Sequence, residues 1–543
     1  MVHRALTIPE LIHLIVNNVP LGDDGWPSSD WRSPDLPTLQ ALALTCRAFH
    51  EPALDVLWSL QEGLSHLVEC LPTDLWTILD DRHGTLTLNE PTRPTTHQDW
   101  ERLEFYARRV RSLRYGPRKS PLNPYLRMSR VLSGKLFRWL LSSSPSHHLL
   151  PRLRFLEWYG SDIPFDYVDS AHMLFGPQLY MLDIGSCLQM LVHLHRRSPD
   201  IQDLHIHPDG NGGPDSDHQP IPRDILTSLT PLRSLTLESF SPFDIDVLAG
   251  LSTLPHLTEV KIVIATITRQ DKRSLLETDY PAAQSLEFRA LKSITLVLSF
   301  MTELSTILSV CRFPRLRRLN LTSFWGSEPH AFDEMLQVIH DCCSHGVLET
   351  IQIHTVPGQL THLEEGIQVI TATSLSRLCA FRRMRKIWLL TEMYIALDDY
   401  LLEEMAMAWP CLESLRFQSM AEDSWLIQNA ATLEGLVPLA RYCPSLKSLT
   451  IDVDPSDTFI SPHAEPGGGH CNRVLRSIDF KQPFATDIYN VAEIGAFLYA
   501  IFPNLQAINE YDSTMTSDCW RLVENTVHVL RKVSQWPRNA GES

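Results

Sequence analysis

The chain has 543 residues, 44% of them apolar and 20% charged, a balance that excludes wholesale disorder and leaves room for a large buried core. Its 47 Lys and Arg stand against 64 Asp and Glu, a net charge of -17 and the wrong sign for a protein that lives on phosphate backbones. Leucine fills 81 positions, well above its usual share, and that excess calls for a structural reason.

Met1 to Val19 does not read as an export signal, because Pro9, Glu10, His13, Asn17 and Asn18 interrupt it. No stretch approaches a membrane-spanning length of apolar residues, so no transmembrane helix and no membrane partner are expected. Eleven cysteines without a C-x-x-C pair predict reduced, mostly buried thiols rather than a disulfide framework or a zinc ribbon. These readings place the protein in the cytoplasm or nucleus.

Thr7-Ile8-Pro9-Glu10 has capping-box spacing and predicts a helix start, with Leu11, Ile12, Ile15, Val16 and Val19 as its apolar stripe. An insertion rich in Gly, Asp, Ser, Pro and Trp from Leu21 to Pro37 cannot continue that helix. Leu39, Leu42, Cys46 and Phe49 then recur at helical spacing, and Pro52 to Trp58 opens a third helical segment. Residues 1–70 therefore read as a small helical module and 71–100 as a linker.

From 101 to 535 one phrase recurs, L-x-x-L-x-L with Ile, Val, Met or an aromatic allowed at the apolar positions. Its copies begin at Val110, Leu153, Leu179, Ile201, Leu232, Leu257, Leu291, Leu316, Leu348, Met384, Leu412, Leu446 and Leu475, and a truncated copy begins at Leu505. Helical spacing precedes the phrase, as in Phe332, Met335, Leu336 and Ile339 before Ile351 and Ile353, and the same order holds from Tyr400, Thr432 and Ala492 onward. Pro314, Pro410, Pro444 and Pro503 fit between helix and strand because proline ends the first and favours extended backbone before it. A unit of one helix and one short strand buries too little by itself, so neighbours must stack. The expected fold is α/β: a helical module, then an irregular solenoid with a curved parallel sheet. A doubly wound sheet would need a Gly-rich βα turn that the sequence lacks. Pro208–Pro222 and Ser461–Gly469 read as inserted loops, Cys519–Val533 as a capping helix, and 536–543 as a flexible tail.

The residue between the second and third apolar positions of each phrase should point away from the core. The series is Arg114, Glu157, Asp183, His205, Thr236, Lys261, Thr295, Asn320, Gln352, Trp388, Arg416, Thr450 and Asp479. Trp388 and Arg416 are adjacent in it and are the expected target contacts, since Trp and Arg are the types in which binding energy concentrates.

No phrase of catalysis emerges: there is no G-x-G-x-x-G, G-x-x-x-x-G-K-[ST], G-x-S-x-G or H-E-x-x-H. No catalytic residue, metal or cofactor is expected. His193, His195, His205 and His207 form two H-x-H pairs, but alternation along a strand accounts for them without an ion. Arg108, Arg109, Arg111, Arg114, Arg118 and Lys119, with Arg127, Arg130, Lys135 and Arg138 beyond, read as a solvated face or an internal counterweight on an acidic protein.

Three stretches carry a family resemblance: Ile8-Pro9-Glu10-Leu11, Leu39-Gln-Ala-Leu42-Ala-Leu-Thr-Cys46-Arg47-Ala-Phe49, and Leu57-Trp58. Together they resemble an F-box, and with the repeats the chain is similar to F-box/leucine-rich-repeat proteins abundant in mushroom-forming (basidiomycete) fungi. It departs from the pattern in a Leu-Pro-x-Glu start one residue shorter and in a long first loop. The resemblance implies that Ile8, Pro9, Leu11, Ile15, Leu39, Leu42, Cys46, Phe49 and Trp58 contact a Skp-type adaptor, and through it a cullin. It implies the non-catalytic, substrate-recognition subunit of a ubiquitin ligase, whose repeats hold a protein target for degradation. The other reading of the same residues is a leucine-rich-repeat scaffold with no part in ubiquitination.

Overall fold

Each full copy of the repeat phrase becomes a short strand parallel to its neighbours within its unit. The computed structural model describes residues 8–19, 36–79, 85–89, 93–115, 132–158, 168–185, 188–207, 223–239, 245–264, 285–324, 329–356, 369–420, 430–455, 466–480, 490–508 and 518–536. The chain divides into two compact units, Met1–Glu238 and Ser239–Ser543.

The first unit opens with three helices, α1 (Pro9–Asn17), α2 (Leu36–Thr45) and α3 (Arg47–Leu57). Pro9 occupies the first turn of α1, where its missing N–H costs nothing. The helix start falls one residue later than the capping box predicts: Ile8 is the N-cap, no side chain caps it, and Thr7 lies outside the described residues. Ile12, Val16 and Val19 meet Leu39 and Ala43 of α2 and Phe49 and Ala53 of α3 in one small apolar core. The strand Leu60–Glu62 follows directly and pairs with Ser112–Tyr115. Residues 71–100 carry an antiparallel pair, Trp76–Ile78 with Leu86–Leu88, and the start of a helix, His97–Ala107. That helix is capped by Thr96, whose backbone N–H donates to Asp99 at 2.7 Å. Strands Phe155–Trp158, Met181–Ile184, Asp203–Ile206 and Ser234–Ser239 then add in chain order, the order that stacking predicts. Leu113, Leu156, Leu182, Leu204 and Leu235 fall in one register row and are fully buried.

Arg109 joins the helical module to the first repeat. Its guanidinium, only 5% exposed, pairs with Glu51 and Asp55 of α3 and lies over the Phe105 ring. This is the internal counterweight predicted for the basic run; Arg118, Lys119, Arg127 and Arg130 lie outside the described residues. The Arg109 hydrogen bond holds the Glu51 carboxyl below its ordinary value. A depressed carboxyl stabilises above its unfolded pKa, so this contribution is lost as pH falls through the folded value. Arg109→Met keeps the aliphatic stem and should cost about 1 to 3 kcal/mol, because both acids are exposed enough to rehydrate. Urea unfolding of the variant should show that loss at pH 7 and a smaller one at pH 3.

The second unit repeats the same construction with longer strands: Glu259–Ile264, Ser293–Leu298, Arg318–Ser323, Thr350–Thr355, Lys386–Thr391, Ser414–Ser419, Ser448–Ile451, Ser477–Phe480 and Ala507–Ile508. Helices such as Pro329–Cys342, Asp399–Ala408, Leu436–Tyr442 and Val491–Ile501 precede the strands as the sequence pattern predicts. Trp409, Cys443 and Phe502, each followed by proline, leave the helix with nearly the same backbone, φ -121, -113 and -132 with ψ 64, 70 and 69. All three side chains are fully buried, so helix stop and core anchor are one residue. The position after the first leucine of successive phrases alternates in charge: Arg317, Glu349, Arg385, Glu413 and Lys447. Glu413 accepts from Lys447 Nζ at 2.8 Å and from Arg385 Nε at 2.6 Å, fixing each repeat against the next.

The helix Asp518–Ser534 covers the last strand. Glu524 accepts from the Ile508 N–H at 2.9 Å, His528 Nε2 lies 2.8 Å from the Gln506 carbonyl, and Trp520 stacks on Phe480. The sheet edge is thereby closed to further pairing. Of the loop expected at 461–469, the described part is Pro466–Gly469, where Gly467, Gly468 and Gly469 all take positive φ. No helix among the described residues is long and apolar enough to cross a membrane. Cys311, Cys342, Cys343, Cys379 and Cys443 are buried as expected, whereas Cys46 and Cys411 are exposed.

Candidate functional site

The outward row reads across each unit in the register that the phrase predicts. In the first unit Arg114 pairs with Glu157, Glu157 with Asp183, Asp183 with His205 and His205 with Thr236. In the second the row runs Lys261, Thr295, Asn320, Gln352, Trp388, Arg416, Thr450 and Asp479 without a slip.

Charge on the first row is matched locally. Arg114 Nε lies 3.0 Å from Glu157 Oε2. Asp183 is flanked by two imidazoles, with His205 Nδ1 at 3.8 Å and His207 Nε2 at 3.2 Å, and His207 Nδ1 lies 2.9 Å from Glu238 Oε2. Burial would raise the Asp183 carboxyl, but the hydrogen bonds from His205 and His207 outweigh it and hold the group well below the usual range. The Asp183 and Glu238 carboxylates push His207 up to about 9.

On the second row Trp388 and Arg416 are half-buried neighbours. Trp388 Nε1 donates to Ser414 Oγ at 3.1 Å, and Arg416 Nη2 donates to Gln418 Oε1 at 2.7 Å. Among the described residues no carboxylate forms an ion pair with Arg416. Its field instead helps burial to lower the nearby His354. The pair thus presents an oriented indole and a cation whose charge is not neutralised in place, a combination suited to an aromatic or acidic side chain of a partner.

The helical module presents a different surface. Ile8, Leu11, Leu14 and Ile15 at α1 are 43%, 37%, 60% and 43% exposed, beside and beyond the buried Ile12 and Val16. Glu10, His13 and Asn17 take the remaining side of α1, so its apolar arc is wider than the stripe the module buries and part of it stands open to solvent. Pro9 and Cys46 are exposed as well, and Leu36 and Leu44 of α2 stand open. Leu39 and Phe49 are the exceptions among the expected contacts: both lie in the module's own core and hold it together from inside. Leu42 packs half-buried against that core, and Trp58 is half-buried with its ring stacked on Tyr106 at 4.2 Å.

Repeated phrase, parallel chain-order strands and unbroken register decide the class. Each unit has the fold of stacked leucine-rich repeats. No protein-family model matches the sequence, and no curated protein matches it. Among solved structures the chain is similar to the yeast Rad7 and Elc1 complex, at 15% identity over 87% of this chain and 88% of that one, TM-score 0.32. It is also similar to the TLR13–ssRNA13 complex, at 11% identity over 80% and 60% of the two chains, TM-score 0.28. A third is the leucine-rich-repeat protein LegL7 of Legionella pneumophila, at 12% identity over 58% and 96%, TM-score 0.24.

Within these repeats, Asp183 and Glu238 join the histidines that strand alternation alone explains. The missed signal was available: Asp183 and His205 occupy successive places in the outward series, and reading along one strand could not bring them together. His193 stacks instead on His172, with ring centroids 4.0 Å apart.

Proposed function

We propose that this chain is the substrate-recognition subunit of a Skp-cullin-F-box ubiquitin ligase, acting by holding its partners rather than by chemistry of its own. The carrying observation is α1, whose apolar arc runs past its buried stripe to the exposed Leu11, Leu14 and Ile15, inside a module whose sequence resembles an F-box. Ile8, Pro9, Leu11, Ile15 and Cys46 meet the Skp-type adaptor, Leu42 and Trp58 border the contact, and Leu39 and Phe49 support it from within. The repeats hold a protein target at the outward row, with Trp388 and Arg416 as anchors. Ubiquitin transfer on the cullin-bound subunits is then accelerated by proximity.

Burying the part of Ile8, Leu11, Leu14 and Ile15 that is still exposed is worth roughly 1 kcal/mol each, and a carboxylate buried unpaired in their place costs several. A charge on that face therefore abolishes binding instead of trimming it. Purified full-length chain should bind a Skp-type adaptor at submicromolar concentration, and Leu11→Asp with Ile15→Asp should weaken binding at least about 100-fold while circular dichroism stays native. A folded, monodisperse wild-type sample that does not bind would sink the proposal and leave a leucine-rich-repeat scaffold outside ubiquitination.

A further inference from the structure

The outward row of the first unit holds a donor set that the ligase reading does not use. Asp183 pairs in register with His205, and His207 returns to the same carboxylate from two residues farther on. One ligand atom from each of the three lies within 4.8 Å of the others. We propose that Asp183, His205 and His207 bind a zinc ion, with Glu238 orienting His207.

The chemistry of the donors comes first. Two imidazole nitrogens and one carboxylate oxygen are borderline ligands, suited to zinc and poorly suited to calcium or magnesium, which take oxygen. The spacing comes next. Ligand atoms about 2.0 to 2.2 Å from a tetrahedral ion stand roughly 3.4 Å apart, so side-chain adjustments on the order of 1 Å close the site. Glu238 supplies the outer partner: its Oε2 lies 2.9 Å from His207 Nδ1 and holds that proton, so the proton that zinc displaces leaves from Nε2.

The scaffold is also prepared. The Asp183 side chain is 9% exposed and the imidazoles of His205 and His207 28% and 27%, fixed by the sheet yet reachable from solvent. The His207 backbone is pinned by its N–H to the Ile184 carbonyl at 2.8 Å. Three protein ligands leave a fourth position for water or for a side chain of a bound partner.

The test uses the full chain stripped with chelator, titrated with zinc by calorimetry and with cobalt as a spectroscopic reporter. One ion should bind at submicromolar concentration, and cobalt should give the visible spectrum of a four-coordinate nitrogen and oxygen site. His205→Gln and His207→Gln should each weaken binding at least about 100-fold, and Glu238→Gln roughly 10- to 100-fold. Circular dichroism of the metal-free variants reports folding; should a histidine variant unfold, Glu238→Gln on the rim carries the test. Unchanged affinity in all folded variants, which would place the ion on other cysteines or histidines, overturns the proposal, as does no binding at submillimolar zinc.

Discussion

Asn472→Leu lowers stability by about 3 to 5 kcal/mol, one of the two largest losses expected from a single substitution. The Asn472 side chain is 2% exposed and uses both ends. Nδ2 donates to the Cys443 carbonyl at 2.7 Å, and Oδ1 accepts the Val474 and Leu475 N–H groups at 2.7 and 2.9 Å. Its own N–H donates to the Ile501 carbonyl at 2.8 Å, so one residue ties its turn to the repeats on both sides. Leucine fills similar volume but strands two backbone donors, each costing roughly 1 to 3 kcal/mol when buried. The drop should appear as an earlier urea midpoint and as faster hydrogen exchange at Val474 and Leu475. Asn504 provides the contrast, since its Nδ2 donates to the Arg473 carbonyl at 2.7 Å from an exposed site. Asn504→Ala should cost less than about 1 kcal/mol.

Trp409→Ala is expected to cost a further 3 to 5 kcal/mol or so, by a different mechanism. The indole is fully buried, its Nε1 donates to the Leu378 carbonyl at 3.3 Å, and its own carbonyl receives the Cys443 thiol at 3.5 Å. Alanine leaves a cavity among three successive repeats, while the Leu378 carbonyl keeps the Phe381 N–H at 3.1 Å, so the cavity carries most of the loss. Trp409→Phe restores most of the volume without the donor and should recover more than half of the loss in the same urea experiment. Equal losses for Ala and Phe would instead assign the effect to the hydrogen bond.

How much of this was legible beforehand depended on which interactions set each feature. Strand register was legible residue by residue within each unit, from Arg114 to Thr236 and from Lys261 to Asp479, because the apolar positions of the phrase fix both the face and the alignment of each strand. Leu60–Glu62 was not, since this three-residue strand carries only part of the phrase and is placed by pairing with Ser112–Tyr115. The hairpin at Trp76–Ile78 and Leu86–Leu88 likewise rests on pairing of very short segments. In the helical module, spacing identified the apolar residues of α1 and α2 but could not divide core from surface, because the apolar arc of α1 is wider than the stripe it buries. Packing makes that division, turning Ile12, Leu39 and Phe49 inward and leaving Leu11 and Ile15 outside. The grouping of Asp183, His205, His207 and Glu238 required neighbouring strands to be read together.

Hydrogen exchange on the full chain with and without a saturating Skp-type adaptor reports where the adaptor docks. Exchange should slow in α1 and α2, over residues 8–19 and 36–46, with the repeats from Glu259 to Phe480 unchanged. Adaptor binding that protects only the repeats, or an exchange pattern unchanged at saturating adaptor, would contradict docking at α1 and α2.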